Sequence, residues 1–129
     1  MFKNPASEFV FVRTYARWRE ELGRRETWEE CVQRVIDFYR HAIKTQLKTD
    51  LVPAKLESIL EEIQEQVLSF GTMPSMRLAW AAGEAAIKEN ATVYNCSFVP
   101  IVDLRAFSEI LYILMCGTGV GFSVEKIGR

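Results

Sequence analysis

ATVYNCSFVPIVDLRAFSEILYILMCGTGVGFSVE, residues 91–125, is the stretch on which the fold turns. Val93 to Val99 is rich in β-branched and aromatic residues and is broken by Pro100, which predicts a short strand with Cys96 at its centre. Asp103 then offers an N-cap, and Leu104, Phe107, Ile110, Leu111 and Leu114 recur at helical spacing until Gly117, Gly119 and Gly121 end the helix. Phe122 to Val124 predicts a second strand. The order is strand, helix, glycine turn, strand, and the rest of the chain is expected to brace it with helices.

That order is the reverse of a dinucleotide fingerprint, in which a strand enters the glycine loop and a helix leaves it with its positive end toward the pyrophosphate. Here the glycines follow a helix, so the dipole points the wrong way for phosphate. The third glycine also comes one residue too early for G-x-G-x-x-G. A helix C-cap and flexible turn is the expected local structure, and glycine there still permits a ligand to approach the backbone closely.

Upstream, the chain is read as helices. Arg13, Arg17, Arg19, Arg24 and Arg25 form a basic cluster diluted by Glu20, Glu21 and Glu26, expected to be a solvated face with stacking on Tyr15 and Trp18, and Gly23 marks a turn. Thr27-Trp-Glu-Glu30 matches a capping box. The following helix carries Trp28, Val32, Val35, Ile36, Tyr39, Ile43 and Leu47 on one stripe, with Cys31 and His41 taken as structural. A second helix is predicted from Pro53 through Leu56, Ile59, Leu60, Ile63 and Val67 to Gly71, with Glu57, Glu61, Glu62 and Glu65 on its solvated face. Gly71 to Ser75 is a turn, Ser75 is placed to cap a helix containing Met76, Leu78, Ala79 and Trp80, and Asn90 ends the helical region.

The chain has 129 residues, enough for one domain that buries about two thirds of its unfolded surface. With 16 basic and 17 acidic residues it has no broad attraction to nucleic acid or membrane, and direct DNA binding is not expected. The amino terminus lacks the apolar core of a signal peptide and no apolar run approaches the roughly 18 residues of a membrane span, so the cytoplasm is expected. Cys31, Cys96 and Cys116 are odd in number, far apart and without C-x-x-C spacing, which points to reduced thiols and no metal site. Glu125 to Arg129 follow a predicted strand with no closing helix, and a lone strand pair leaves open edges, so the chain is expected to be a fragment.

On spacing alone, Cys96 is a thiol on a buried strand, and such a cysteine is usually an inert small hydrophobe. The ordered motifs give it another weight. Pro74-Ser-Met-Arg-Leu-Ala-Trp-Ala-Ala-Gly83, Tyr94-Asn-Cys-Ser-Phe98 and Leu114-Met-Cys-Gly-Thr-Gly-Val-Gly-Phe-Ser-Val-Glu125 together resemble the amino-terminal part of the adenosylcobalamin-dependent ribonucleotide reductases. Arg13-Thr-Tyr-Ala-Arg-Trp18 and Gly23-Arg-Arg-Glu-Thr-Trp28 are similar to the opening of the monomeric, triphosphate-reducing branch.

The resemblance implies a mainly α chain with a small β part: an N-terminal helical region, residues 1–90, then residues 91–129 as the first strand-helix-strand elements of a ten-stranded α/β barrel. It implies radical chemistry on a ribonucleoside triphosphate. Adenosylcobalamin initiates a thiyl radical on a cysteine of an inner loop, the ribose 3′ hydrogen is removed, the 2′ hydroxyl leaves as water, and two further cysteines become a disulfide. Cys96 matches the first of those two reducing thiols by its Asn-Cys context. Ser75 matches a hydroxyl that contacts substrate phosphates, Asn95 and Gly119 match positions near the bound nucleotide, and Cys116 matches no required cysteine.

The family's enzyme is several times longer, and positions for the radical cysteine, its partner asparagine and glutamate, the second reducing cysteine and the carboxy-terminal thiols all lie beyond this chain. Cobalamin would contact mainly that remainder. The implied partners are therefore the triphosphate substrate, a deoxynucleotide effector, a thioredoxin-like reductant and a complementary C-terminal reductase polypeptide, without which the chain is expected to be inactive. The alternative is a non-catalytic nucleotide-binding or regulatory module derived from the reductase, which would have no need of the Cys96 thiol.

Overall fold

The computed structural model describes Phe2 and residues 4–124. The chain divides between Gly83 and Glu84 into two compact units. Helices predominate, and the two small sheets have two strands each.

The first unit opens with α1, Pro5–Thr14. Asn4 caps it, its Oδ1 accepting the Ser7 N–H at 2.8 Å, and Pro5 stands in the first turn, where its missing N–H costs nothing. A two-residue antiparallel ribbon follows, β1 (Trp18–Arg19) and β2 (Arg24–Arg25), joined by a 3₁₀ turn and by Gly23 at φ 59°. Of the arginines expected on a solvated face, Arg13, Arg24 and Arg25 are exposed and Arg17 and Arg19 half-buried, and they also bind the chain to itself. Arg24 grips Glu30 with two N–H groups at 2.7 and 2.9 Å, Arg19 pairs with Glu21, Arg25 donates to the Ala16 carbonyl and Arg17 to the Trp80 carbonyl. Arg13 lies over the Phe9 ring.

Helix α2, Trp28–Leu47, begins at the predicted capping box: Thr27 Oγ1 accepts the Glu30 N–H, and the Glu30 carboxylate accepts the Thr27 N–H. The Arg24 guanidinium, with that N–H, holds the Glu30 carboxyl down at about 2. The predicted stripe divides along its length. Trp28, Val32, Val35 and Ile36 are buried, whereas Tyr39 and Leu47 are exposed. Helix α3, Ala54–Leu68, packs on α2 with Leu60 and Val67, and Arg40 of α2 pairs with Glu57 of α3 at 2.6 Å, which takes Glu57 off the purely solvated face. The left-handed residue after α3 is Phe70, at φ 60°, and not the expected Gly71. That turn carries the Phe70 ring onto Trp28, stacked with centroids 5.2 Å apart, while Phe11 meets Trp28 edge-on at 5.6 Å. Burying a side chain such as Ile36 contributes about 1.5–3 kcal/mol.

Arg34 of α2 joins these pieces. Its Nε and Nη2 donate to the Glu26 carboxylate at 2.9 Å, with the two side chains 13% and 4% exposed. The same guanidinium donates to the carbonyls of Ala82 at 2.9 Å and Ala79 at 3.2 Å, which end helix α4, Met76–Ala81. Glu26 in turn accepts the Arg17 N–H at 3.2 Å.

The second unit runs from α5, Glu84–Lys88, through a 3₁₀ turn at Asn90–Val93 to β3 (Cys96–Pro100), α6 (Arg105–Met115) and β4 (Gly119–Ser123). The strands pair in parallel, from Cys96 opposite Gly119 to Pro100 opposite Ser123. The strand-helix-strand order is as predicted, with shifted borders. β3 starts three residues later than Val93, because the backbone of 91–94 is bonded to a turn and to side chains: the Glu89 carboxylate accepts the Ala91 N–H, and Thr118 holds the carbonyls of Ala91 and Tyr94. β4 starts three residues earlier than Phe122, since ladder pairing outweighs the poor strand propensity of Gly119 and Gly121. Asp103 caps α6 from one residue outside the N-cap, its Oδ1 accepting the Arg105 N–H at 2.8 Å. Of the expected barrel, the described residues contain one parallel strand pair, and Glu125 lies outside them. Among the described residues no helix is long and apolar enough to cross a membrane.

Glu26→Gln removes the charge that compensates Arg34, and breaking a buried pair on one side costs about 3–5 kcal/mol. Thr27→Ala removes a cap worth about 1 kcal/mol. Denaturant titration of the full chain is expected to rank Glu26→Gln well above Thr27→Ala; equal losses would contradict the place given to Arg34.

Candidate functional site

Cys96 is the first residue of β3, and its thiol is free and exposed. The expected burial is therefore corrected. A sheet of two strands beside one helix has an uncovered face, and the alternation along β3 turns Ser97 and Val99 inward and Cys96, Phe98 and Pro100 outward. Cross-strand partners share a face, so Cys96 stands beside Gly119 and Phe98 beside Gly121.

The two glycines leave that face bare. A Cβ added at Gly119 would lie 3.5 Å from the Asn95 carbonyl oxygen, and one at Gly121 would lie 3.7 Å from Phe98 Cδ2, both ordinary contacts. Internal packing thus does not demand glycine at either position. What their lack of side chains provides is open backbone next to a thiol, a surface on which a flat or compact ligand can lie close. Gly117 is different: at φ 86° it ends α6 in the left-handed conformation expected of a helix stop.

Asn95, Cys96 and Gly119 are brought together by the parallel register. The Gly119 N–H donates to the Asn95 carbonyl at 2.9 Å, immediately before the Cys96–Gly119 pair. Ser75 belongs to the first unit, where it is exposed at the N-cap of α4 and makes no capping bond with its side chain.

Thr118 was not singled out from the sequence, yet it is 2% exposed, one of two buried polar residues among those described. Its hydroxyl lies 2.8 Å from the Ala91 carbonyl and 3.1 Å from that of Tyr94. The legible signal was a hydroxyl residue between two glycines of a helix-to-strand turn. Tyr112 on α6 donates a hydrogen bond to the Glu89 carboxylate, which ties the same turn to the helix.

The other thiols are less exposed than Cys96. Cys31 is 1% exposed, and burial pushes its thiol pKa up, away from the reactive thiolate. Cys116 is half-buried at the end of α6. Among the described residues no group of three or more His, Cys, Asp or Glu side chains could hold a metal ion. Among the described residues the sheet face carrying Cys96 is exposed at Cys96, Phe98 and Gly119, so these residues alone do not fit a corrinoid.

The family model for the ribonucleotide reductase alpha domain matches residues 1–84. The adenosylcobalamin-dependent ribonucleoside-triphosphate reductase of Lactobacillus helveticus (strain DPC 4571) is 33% identical over 138 aligned residues, which cover 89% of this chain and 18% of that protein. The enzyme of the same name from Lactobacillus leichmannii is 29% identical over 141, covering 91% and 19%. The crystal structure of a B12-dependent (class II) ribonucleotide reductase superposes with a TM-score of 0.76 at 29% identity, covering 92% of this chain and 20% of that one. The chain thus spans about a fifth of the length of these relatives.

The Glu89–Tyr112 bond sets two titrations. Tyr112 lowers the Glu89 carboxyl below its usual value of 4.5, helped by the Ala91 N–H, and Glu89 pushes the Tyr112 phenol up to about 12. A lowered carboxyl contributes stability above its unfolded pKa and loses it as pH falls through the folded value; a raised phenol contributes below pH 10 and loses it as pH rises through about 12. Phenolate absorbance is expected to report one tyrosine titrating near 12, and Tyr112→Phe to move the Glu89 carboxyl resonance back toward 4.5. A Glu89 titration unchanged in that variant would count against the bond.

Proposed function

The chain belongs to the ribonucleotide reductase alpha-domain family, and on that premise we propose that it is the amino-terminal part of a reductase converting ribonucleoside triphosphates to 2′-deoxyribonucleotides. Residues 1–90 are then the helical region and 91–129 the start of the ten-stranded barrel. Cys96 is one of the two reducing thiols, Ser75 contacts substrate phosphates, and Asn95 and Gly119 lie along the nucleotide. The observation that carries this reading is the free, exposed Cys96 thiol beside the bare backbone of Gly119.

Loss of the 2′ hydroxyl as water needs two electrons and two protons. Two thiols supply both as they join in a disulfide, and the second thiol must come from outside this chain's sheet face. The position of the Cys96 Cα at the start of β3 matters, because the two Cα atoms must come within roughly 7 Å. Adenosylcobalamin, held mainly by the complementary polypeptide, would supply the radical chemistry of the reaction. A deoxynucleotide effector, a thioredoxin-like reductant that restores the thiols, and a cytoplasmic location complete the reading.

A second reading is a nucleotide-binding or regulatory module without turnover. The two are separated by Cys96→Ser assayed with the complementary polypeptide, adenosylcobalamin, a ribonucleoside triphosphate and a dithiol. Deoxynucleotide formation is expected to fall at least about a thousandfold, as when a residue that bonds in the reaction is removed. Turnover that survives the change would end the role given to Cys96. Nucleotide binding by the chain alone, with no turnover in any mixture, would favour the module.

A further inference from the structure

Cys96 opens β3, and strand ends are where ladders fray. A thiol that must meet a second sulfur within a narrow range of Cα separation cannot move freely there, since a misplacement of about 1 Å can cost about a hundredfold in rate. The parallel ladder alone is a weak restraint, because only two strands form it. Some further contact must fix the backbone just before Cys96.

Thr118 makes that contact. Its N–H donates to the Ile113 carbonyl at 3.2 Å, which anchors it to the last turn of α6. Its hydroxyl proton is shared between the carbonyls of Ala91 and Tyr94, three residues apart on the turn that feeds β3. The next N–H, of Gly119, reaches the Asn95 carbonyl. Helix, turn and the Asn95–Gly119 bond are thereby joined through two consecutive residues. Valine has nearly the same shape as threonine and suits an extended backbone, so shape does not require the hydroxyl.

We propose that Thr118 is a positioning residue for Cys96: its buried hydroxyl clamps the Ala91–Tyr94 turn against the start of β4, so that the Cys96 thiol is held beside Gly119 in the orientation from which it bonds to a second thiol. The clamp stands on this chain's own geometry, and its purpose rests on the reducing role proposed for Cys96.

Two variants test it, Thr118→Val without the hydroxyl and Thr118→Ser with it. In the full chain, hydrogen exchange of the Gly119 amide is expected to quicken about tenfold in Thr118→Val, as loss of one hydrogen bond would produce, with the Phe122 amide unchanged and Thr118→Ser close to the parent. With the complementary polypeptide, Thr118→Val is expected to lower kcat about tenfold while KM stays within about twofold, and Thr118→Ser to restore kcat. Parent exchange rates at Gly119 in Thr118→Val overturn the clamp. Faster exchange with an unchanged kcat, in an enzyme that Cys96→Ser inactivates, overturns the positioning role and leaves the reducing role standing. If Cys96→Ser itself retains turnover, the reducing role fails, and the positioning role with it, while the exchange result still decides the clamp. Should Thr118→Val not fold, Thr118→Ala is read in the same way; if neither folds, an unprotected Gly119 amide in the parent chain overturns the proposal and a protected one upholds the clamp.

Discussion

The Arg34 guanidinium is the constraint around which the first unit is arranged. An arginine and a glutamate this little exposed lose most of their hydration, and their mutual attraction offsets that loss only if the remaining donors and lone pairs are also used. Both side chains meet that condition. The planar fork of Arg34 serves the Glu26 carboxylate and the carbonyls of Ala79 and Ala82, and Glu26 also takes the Arg17 N–H. Lysine, with one compact ammonium, cannot face three directions in a plane at once. The carbonyls of Ala79 and Ala82 lie at the end of α4, where a helix has acceptors without intrahelical donors and a partial negative charge, so the cation satisfies both.

This explains what was legible in the sequence and what was not. Features written in neighbouring residues came through: the capping box at Thr27, the apolar stripe through Trp28, Val32 and Ile36, the turn at Gly23, the strand-helix-strand order. Helix α1 had a local signal too, Asn4 before Pro5, but it was overshadowed by the aromatic and arginine residues that follow. The exposure of Arg13, Arg24 and Arg25 was legible, but the distant partners of the arginines were not. Arg17 reaches a carbonyl 63 residues away and Arg34 one 48 away, and spacing along the chain does not encode such partners.

For the site, the motif order brought Asn95, Cys96 and Gly119 to notice, and the parallel register accounts for their meeting. The exposure of Cys96 was missed because a β-branched, aromatic strand reads as buried on both faces, whereas a pair of strands beside one helix has an open face. The late start of β3 was missed for a related reason. Backbone groups of 91–94 that a strand neighbour would otherwise have bonded are taken by Glu89 and Thr118, residues outside the strand window.

The second unit differs from the first in what holds it together. Its buried residues among those described are Ala86, Ala106 and Thr118, two of them contributing little more than a methyl group, while Phe107, Leu111, Leu114 and Met115 of α6 remain exposed. Apolar burial at about 25 cal/mol per Å² therefore gives this unit little to set against its conformational entropy. In such a unit, directional bonds between named atoms decide where the backbone lies. Tyr112 on Glu89, Thr118 on Ala91 and Tyr94, and Gly119 on Asn95 all converge on the few residues before Cys96. The polar restraint is thus densest where the thiol is presented, and the hydrophobic restraint is weakest there. A larger side chain at 119 or 121 would bury more surface and stabilise the strand pair, but it would cover the backbone beside the thiol. The glycines and the clamps are two parts of one arrangement, in which open backbone is kept beside Cys96 and hydrogen bonds supply the order that packing does not.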